Sequence, residues 1–154
     1  NMEENLRLTP LEVLEDFFLL NNIQLFVDNN ISPDNEKAFI VKFYDKRAII
    51  YAPSQMLDNR ETRWVLMHEF YHDYANLFYK LNDSIVLKRA AEARVTNKLI
   101  KELIPYKDLV YYLKKEVPVW ELADIFYVPE YAIKEAIKLY ESRILEEYGR
   151  ELCY

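Results

Sequence analysis

At 154 residues, 51% apolar and 30% charged, the chain is long enough to bury a real core and too apolar to stay disordered. A formal charge of −6 and a pI near 5.1 argue against nucleic acid as the main partner, because phosphate binding wants a basic face. The single glycine, Gly149, excludes phosphate-cradling glycine loops and dinucleotide fingerprints, and leaves left-handed turns to asparagine and aspartate.

Thr9-Pro10, followed by Leu11, Leu14, Phe18 and Leu19 at helical spacing, reads as a capped first helix. Three β-rich runs come next: Ile23 to Val27, Ala38 to Tyr44, and Arg47 to Ala52, with Asp45-Lys46 as the hairpin turn between the last two. They predict a small, mostly antiparallel sheet of three strands. Asp58 and Asn59 are the N-cap candidates, and Asp58 with Glu61 three residues on resembles a capping box, for a helix from about Arg60 to Tyr79. Asn82-Asp83-Ser84 caps another from Ile85 to Ile104, which Pro105 terminates. Shorter helices are expected over Tyr106 to Lys115, Val119 to Phe126 and Glu130 to Tyr148, with Pro118 and Pro129 at the starts of the last two. The class is α+β, with an N-terminal helix and a mainly helical C-terminal half.

No apolar run reaches membrane-spanning length, and Asn1-Met2-Glu3-Glu4 lacks the basic and apolar segments of a signal peptide. Asn1, ahead of Met2, reads as an expression remnant. Cys153, the one cysteine, has no partner for an internal disulfide, so a reducing, cytoplasmic setting is expected.

The only two histidines stand four apart, in His68-Glu69-Phe70-Tyr71-His72. On a helix, positions i and i+4 share a face, so both imidazoles can hold one zinc ion. Glu69 is turned aside from that face, where it can act as general base on water activated by the metal. A catalytic zinc site wants a third protein ligand, which here must be a carboxylate or Cys153. The following helix offers Glu92 and Glu102. Glu92 is favoured, because Ala90, Ala91 and Ala93 beside it would permit close helix approach, whereas Glu102 lies near the helix end on another side. A helix-surface salt bridge to Lys88 or Arg89 is the structural alternative for Glu92. Asp73 points off the ligand face and reads as a supporting or solvent-facing group. An oxyanion donor would come from Tyr51, Arg60, Tyr71, Tyr74 or a C-terminal tyrosine.

The segments His68 to His72, Glu92-Ala93-Arg94-Val95-Thr96, Glu102-Leu103-Ile104-Pro105 and Glu121-Leu122-Ala123-Asp124-Ile125-Phe126-Tyr127-Val128-Pro129 together resemble the ImmA/IrrE metallopeptidases of phages and mobile elements. The resemblance covers about Ala48 to Tyr140. It implies a zincin-like fold over 2–154, with about 106–154 as a helical, helix-turn-helix-like extension. It further implies zinc on His68, His72 and Glu92, Glu69 as base, and a repressor-type transcription regulator of the same mobile element as substrate. Val95 stands where that family usually has alanine, and Thr96 where it usually has asparagine or aspartate. The Thr96 hydroxyl can support a ligating histidine, with shorter reach.

The expected function is therefore a zinc metallo-endopeptidase acting on a helix-turn-helix repressor. Two other readings stand beside it: a non-catalytic, regulator-binding module on the same scaffold, and a DNA-binding regulator. The would-be recognition helix disfavours the last, since Lys134 and Lys138 are balanced by Glu130 and Glu135.

Overall fold

The computed structural model describes residues 10–31, 37–74 and 84–149, which fall into two compact units, one within Asn1–Asn76 and one within Leu77–Tyr154. The expected positions Thr9, Asn82-Asp83, Tyr79 and Cys153 lie outside the described residues.

In the first unit, α1 (Pro10–Leu20) buries Leu14 and Phe18, while Leu19, placed on the core face by the sequence pattern, is 74% exposed. Asn22 closes α1 in the left-handed conformation (φ 56°), its N–H donating to the Leu19 carbonyl at 3.1 Å, as asparagine does at helix ends. Then come β1 (Ile23–Val27), β2 (Ala38–Phe43), β3 (Lys46–Tyr51), a single 3₁₀ turn at Pro53–Gln55, and α2 (Asn59–Tyr74).

The sheet order is β1-β3-β2, with β1 parallel and β2 antiparallel to β3. The sheet is thus mixed rather than mostly antiparallel. The chain lays β2 at the far edge and folds back through a hairpin, so β3 enters the middle running in the direction of β1. The hairpin also turns one residue earlier than expected, at Tyr44-Asp45, with Lys46 already in β3. A turn at Asp45-Lys46 would set Lys42 opposite the fully buried Ile49. The observed register sets Ile40 there instead. The cost is a left-handed tyrosine, Tyr44 (φ 54°). Left-handed backbone was expected on asparagine or aspartate. Among the described residues only Asn22 fits that expectation, and Tyr44, Glu116 and Tyr127 take the other non-glycine positions.

The second unit comprises α3 (Ile85–Leu103), α4 (Tyr106–Leu113), α5 (Val119–Phe126) and α6 (Glu130–Tyr148). Ser84 caps α3, its Oγ accepting the Leu87 N–H at 3.3 Å. Tyr127 (φ 52°) ends α5, and the Val128 N–H donates to the Ala123 carbonyl at 3.0 Å, a Schellman closure that feeds Pro129 and α6. Leu122, Ala123, Val128, Ala132, Ile133 and Ala136 are fully buried, so α5 and α6 pack as a helix-turn-helix-like pair. Around them, Tyr140 Oη donates to the buried Ile104 carbonyl at 3.0 Å, and Tyr106 Oη donates to Glu147 at 2.6 Å. Arg143 lies 3.7 Å above the Tyr106 ring and donates to Glu147 at 2.9 Å. The α+β class stands, and no helix of the described residues is long and apolar enough to cross a membrane.

Candidate metal centre

The histidines ride on α2, whose first turn is fixed as the capping pattern predicts. Asp58 Oδ1 accepts the Glu61 N–H at 3.0 Å, and the Asp58 carboxyl is held below its usual range: burial pushes it up, but the Glu61 and Arg60 hydrogen bonds outweigh that. The return half of the capping box differs. Glu61 Oε1 accepts the N–H of Leu57, one residue before the cap, at 3.2 Å, and also the Lys37 ammonium at 2.5 Å. Further along, Phe70 packs on Phe17 and Phe18 of α1, with ring centroids at 5.0 and 6.0 Å.

The four buried polar or charged residues found among the described ones, Glu61, Thr62, His72 and Asp73, all lie on α2. Everywhere else the buried set is apolar, as ordinary cores are. Among the described residues, one helix therefore carries the buried polar and charged side chains.

His68 is half-buried and His72 buried, with their Nε2 atoms 3.2 Å apart and rings tilted by 68°. Two nitrogens bound to one tetrahedral zinc at ordinary bond lengths stand about 3.3 Å apart, so the observed separation suits a shared ion. Glu92 on α3, half-buried, completes a group: one ligand atom from each of His68, His72 and Glu92 lies within 4.8 Å of the others. This His-His-Glu group could hold a metal ion; two imidazole nitrogens and a carboxylate oxygen suit several divalent ions.

Glu69 is half-buried beside the pair on α2, and Thr96 is half-buried one turn beyond Glu92. Glu102 is exposed and outside this group. Ala90 and Ala93 are exposed and Ala91 is half-buried. Of the oxyanion candidates, Arg60 is held at the far end of α2 by Asp58, at 2.9 and 3.0 Å. Tyr71 is buried among Phe70 and Tyr74. Tyr51 lines a groove with Glu15, Asp16 and Leu19, its hydroxyl pushed up by burial and then by the Glu15 charge. Tyr74 is 67% exposed.

Sequence reasoning missed the two ion pairs that tie α2 to its sheet. Of the two readings of Asp73, the solvent-facing one does not hold: its side chain is 3% exposed and bonded to Arg47 of β3. At the other end, Glu61, 1% exposed, takes Lys37 just ahead of β2. The available signal was two carboxylates bracketing the apolar stretch of one helix, with a basic residue beside each of two strands. No protein-family model, curated protein or solved structure matches the chain.

Proposed function

We propose that the chain is a zinc-dependent endopeptidase of the zincin type, related to the ImmA/IrrE metallopeptidases, that works in the cytoplasm and cuts a helix-turn-helix repressor of a phage or mobile element. The observation that carries the reading is the convergence of His68, His72 and Glu92, with Glu69 in the His-Glu-x-x-His register. The donor set fits: catalytic zinc sites commonly use three protein ligands drawn from histidine and carboxylate and leave one position open. When bound, zinc supplies Lewis acidity, acidifying water and polarising a peptide carbonyl. Glu69 then accepts the proton of the attacking water on its carboxylate and returns it to the leaving amine. Thr96 offers its hydroxyl to orient a ligand histidine.

A protein partner is favoured over duplex DNA by the exposed face of α6. It presents Glu130, Lys134, Glu135, Lys138 and Glu141, a mixed surface that phosphates would not prefer.

The test is incubation of the zinc-loaded chain with the repressor encoded beside it, read by intact mass. Wild type should give discrete fragments that a chelator abolishes. Glu69→Gln should hold zinc equally well and give none. Cleavage by the variant would overturn the role of Glu69. A repressor bound by wild type but left whole would identify a binding module instead, and failure of wild type to take up any divalent ion would remove the metal reading.

A further inference from the structure

Asp73 directly follows a ligand histidine, and its carboxylate is withdrawn from water. Burying a carboxylate is costly unless a partner compensates, and such a pair seldom stabilises a fold more than apolar packing would. Its use here calls for another explanation, and direction supplies one. Apolar contacts between α2 and its neighbours are non-directional, whereas a guanidinium–carboxylate bond fixes an angle.

Arg47 is well placed to set that angle. It lies in β3, paired across the sheet with Lys42 on one side and Ile23 on the other. Arg47 and Lys42 are like charges on the same face, an unfavourable cross-strand pair that the Asp73 carboxylate relieves. On α2, successive residues are rotated by about 100°, so His72 and His68 sit about 100° and 140° around the helix from Asp73. With Asp73 held against the sheet, both imidazoles are turned off it together.

Resting on the metal-site reading, we propose that the Arg47–Asp73 ion pair is the positioning device of this centre. It holds the His68–His72 turn at the rotation where both rings face one ion. Metal affinity then depends on the pair.

Asp73→Asn, Arg47→Met and Arg47→Lys in the full chain test this by three measurements: zinc affinity by chelator competition, the cobalt absorption spectrum, and melting of the metal-free protein. A purely electrostatic role predicts opposite signs, because removing Asp73 weakens and removing Arg47 strengthens the hold on a cation. Positioning predicts the same sign for both. Asp73→Asn and Arg47→Met should each weaken zinc about tenfold, near the low end for loss of a supporting group, and both should alter the cobalt bands. The metal-free melting temperature should stay within a few degrees of wild type for Asp73→Asn and Arg47→Lys. Arg47→Met leaves a buried carboxylate without its cation and should melt earlier, so its affinity is read well below that transition. Arg47→Lys, which keeps the charge but not the fork, should recover part of the affinity.

Affinities within twofold of wild type, or opposite signs for the two charge removals, would overturn the proposal. So would an affinity loss that merely tracks collapse of the metal-free fold, and if Asp73→Asn fails to fold, the sign of Arg47→Met and its partial recovery in Arg47→Lys decide. Wild type that binds no ion fails the metal reading itself, a different outcome from wild type that binds and variants that bind equally.

Discussion

Replacing Lys37 by methionine should destabilise the first unit more than replacing Lys37 and Glu61 together. The Glu61 side chain is 1% exposed, and its Oε1 accepts the Lys37 ammonium at 2.5 Å and the Leu57 N–H at 3.2 Å. Without Lys37 the carboxylate keeps one backbone donor and loses its cation. Orphaning a buried charge costs about 3–5 kcal/mol, and since Lys37 is itself 34% exposed, screening brings the expected loss to about 2–3 kcal/mol. In Lys37→Met/Glu61→Met no charge remains to desolvate, and the loss should fall to about 1 kcal/mol. Trp64 is buried on α2 three residues beyond Glu61, whereas Trp120 is 59% exposed in the second unit, so a urea titration followed by tryptophan emission reports chiefly on the first. With a slope of about 1.5 kcal/mol per molar urea, the single variant should lower the midpoint by roughly 1.5–2 M. A loss below about 1 kcal/mol for Lys37→Met, or a double variant as unstable as the single, would show that Glu61 does not depend on its cation.

Tyr140→Phe removes the one side-chain donor seen on the buried Ile104 carbonyl and should cost about 1–2 kcal/mol, a fall of roughly 2–8 °C in melting temperature by calorimetry. Glu147 is held below its usual range by the Tyr106 hydroxyl and then by Arg143, so its stabilising contribution is present above the unfolded carboxylate value and is lost as pH falls through the lower folded one. Glu147→Gln should therefore flatten the acid limb of melting temperature against pH, and an unchanged limb would refute the assignment. Tyr106, pushed up to about 12 by burial and then by its bond to Glu147, should ionise in the native protein only well above the ordinary tyrosine range, as read by ultraviolet difference absorbance.

What could be read in the sequence was what local chemistry decides. Ser84, Pro105, Pro118 and Pro129 set helix limits within a few residues, because caps and proline act on the turn that contains them. The His68–His72 juxtaposition follows from helical pitch alone. Strand order did not follow, since the parallel pairing of β1 with β3 depends on which faces α1 and α2 cover. The hairpin register was decided by Ile49, several residues from the turn it displaced. The partners of Glu61 and Asp73 stand 24 and 26 residues away in sequence, beyond any local pattern.

The burial pattern of α2 carries a separate weight. A helix chosen only for packing would bury aliphatic residues, as α6 does with Ala132, Ile133, Ala136 and Ile137. Beside Trp64, Leu66, Met67, Phe70 and Tyr71, α2 also buries a glutamate, a threonine, a histidine and an aspartate, and ties the two carboxylates to basic residues at either end. Each of these choices carries a desolvation cost that an apolar residue would not, and a local rule broken repeatedly on one element points to a constraint other than folding. Twelve positions separate the two tied carboxylates, about 18 Å of helix, and the histidines lie inside that span. Two directional anchors that far apart fix both the tilt and the rotation of a helix, which a shared metal ion requires and a packed core does not.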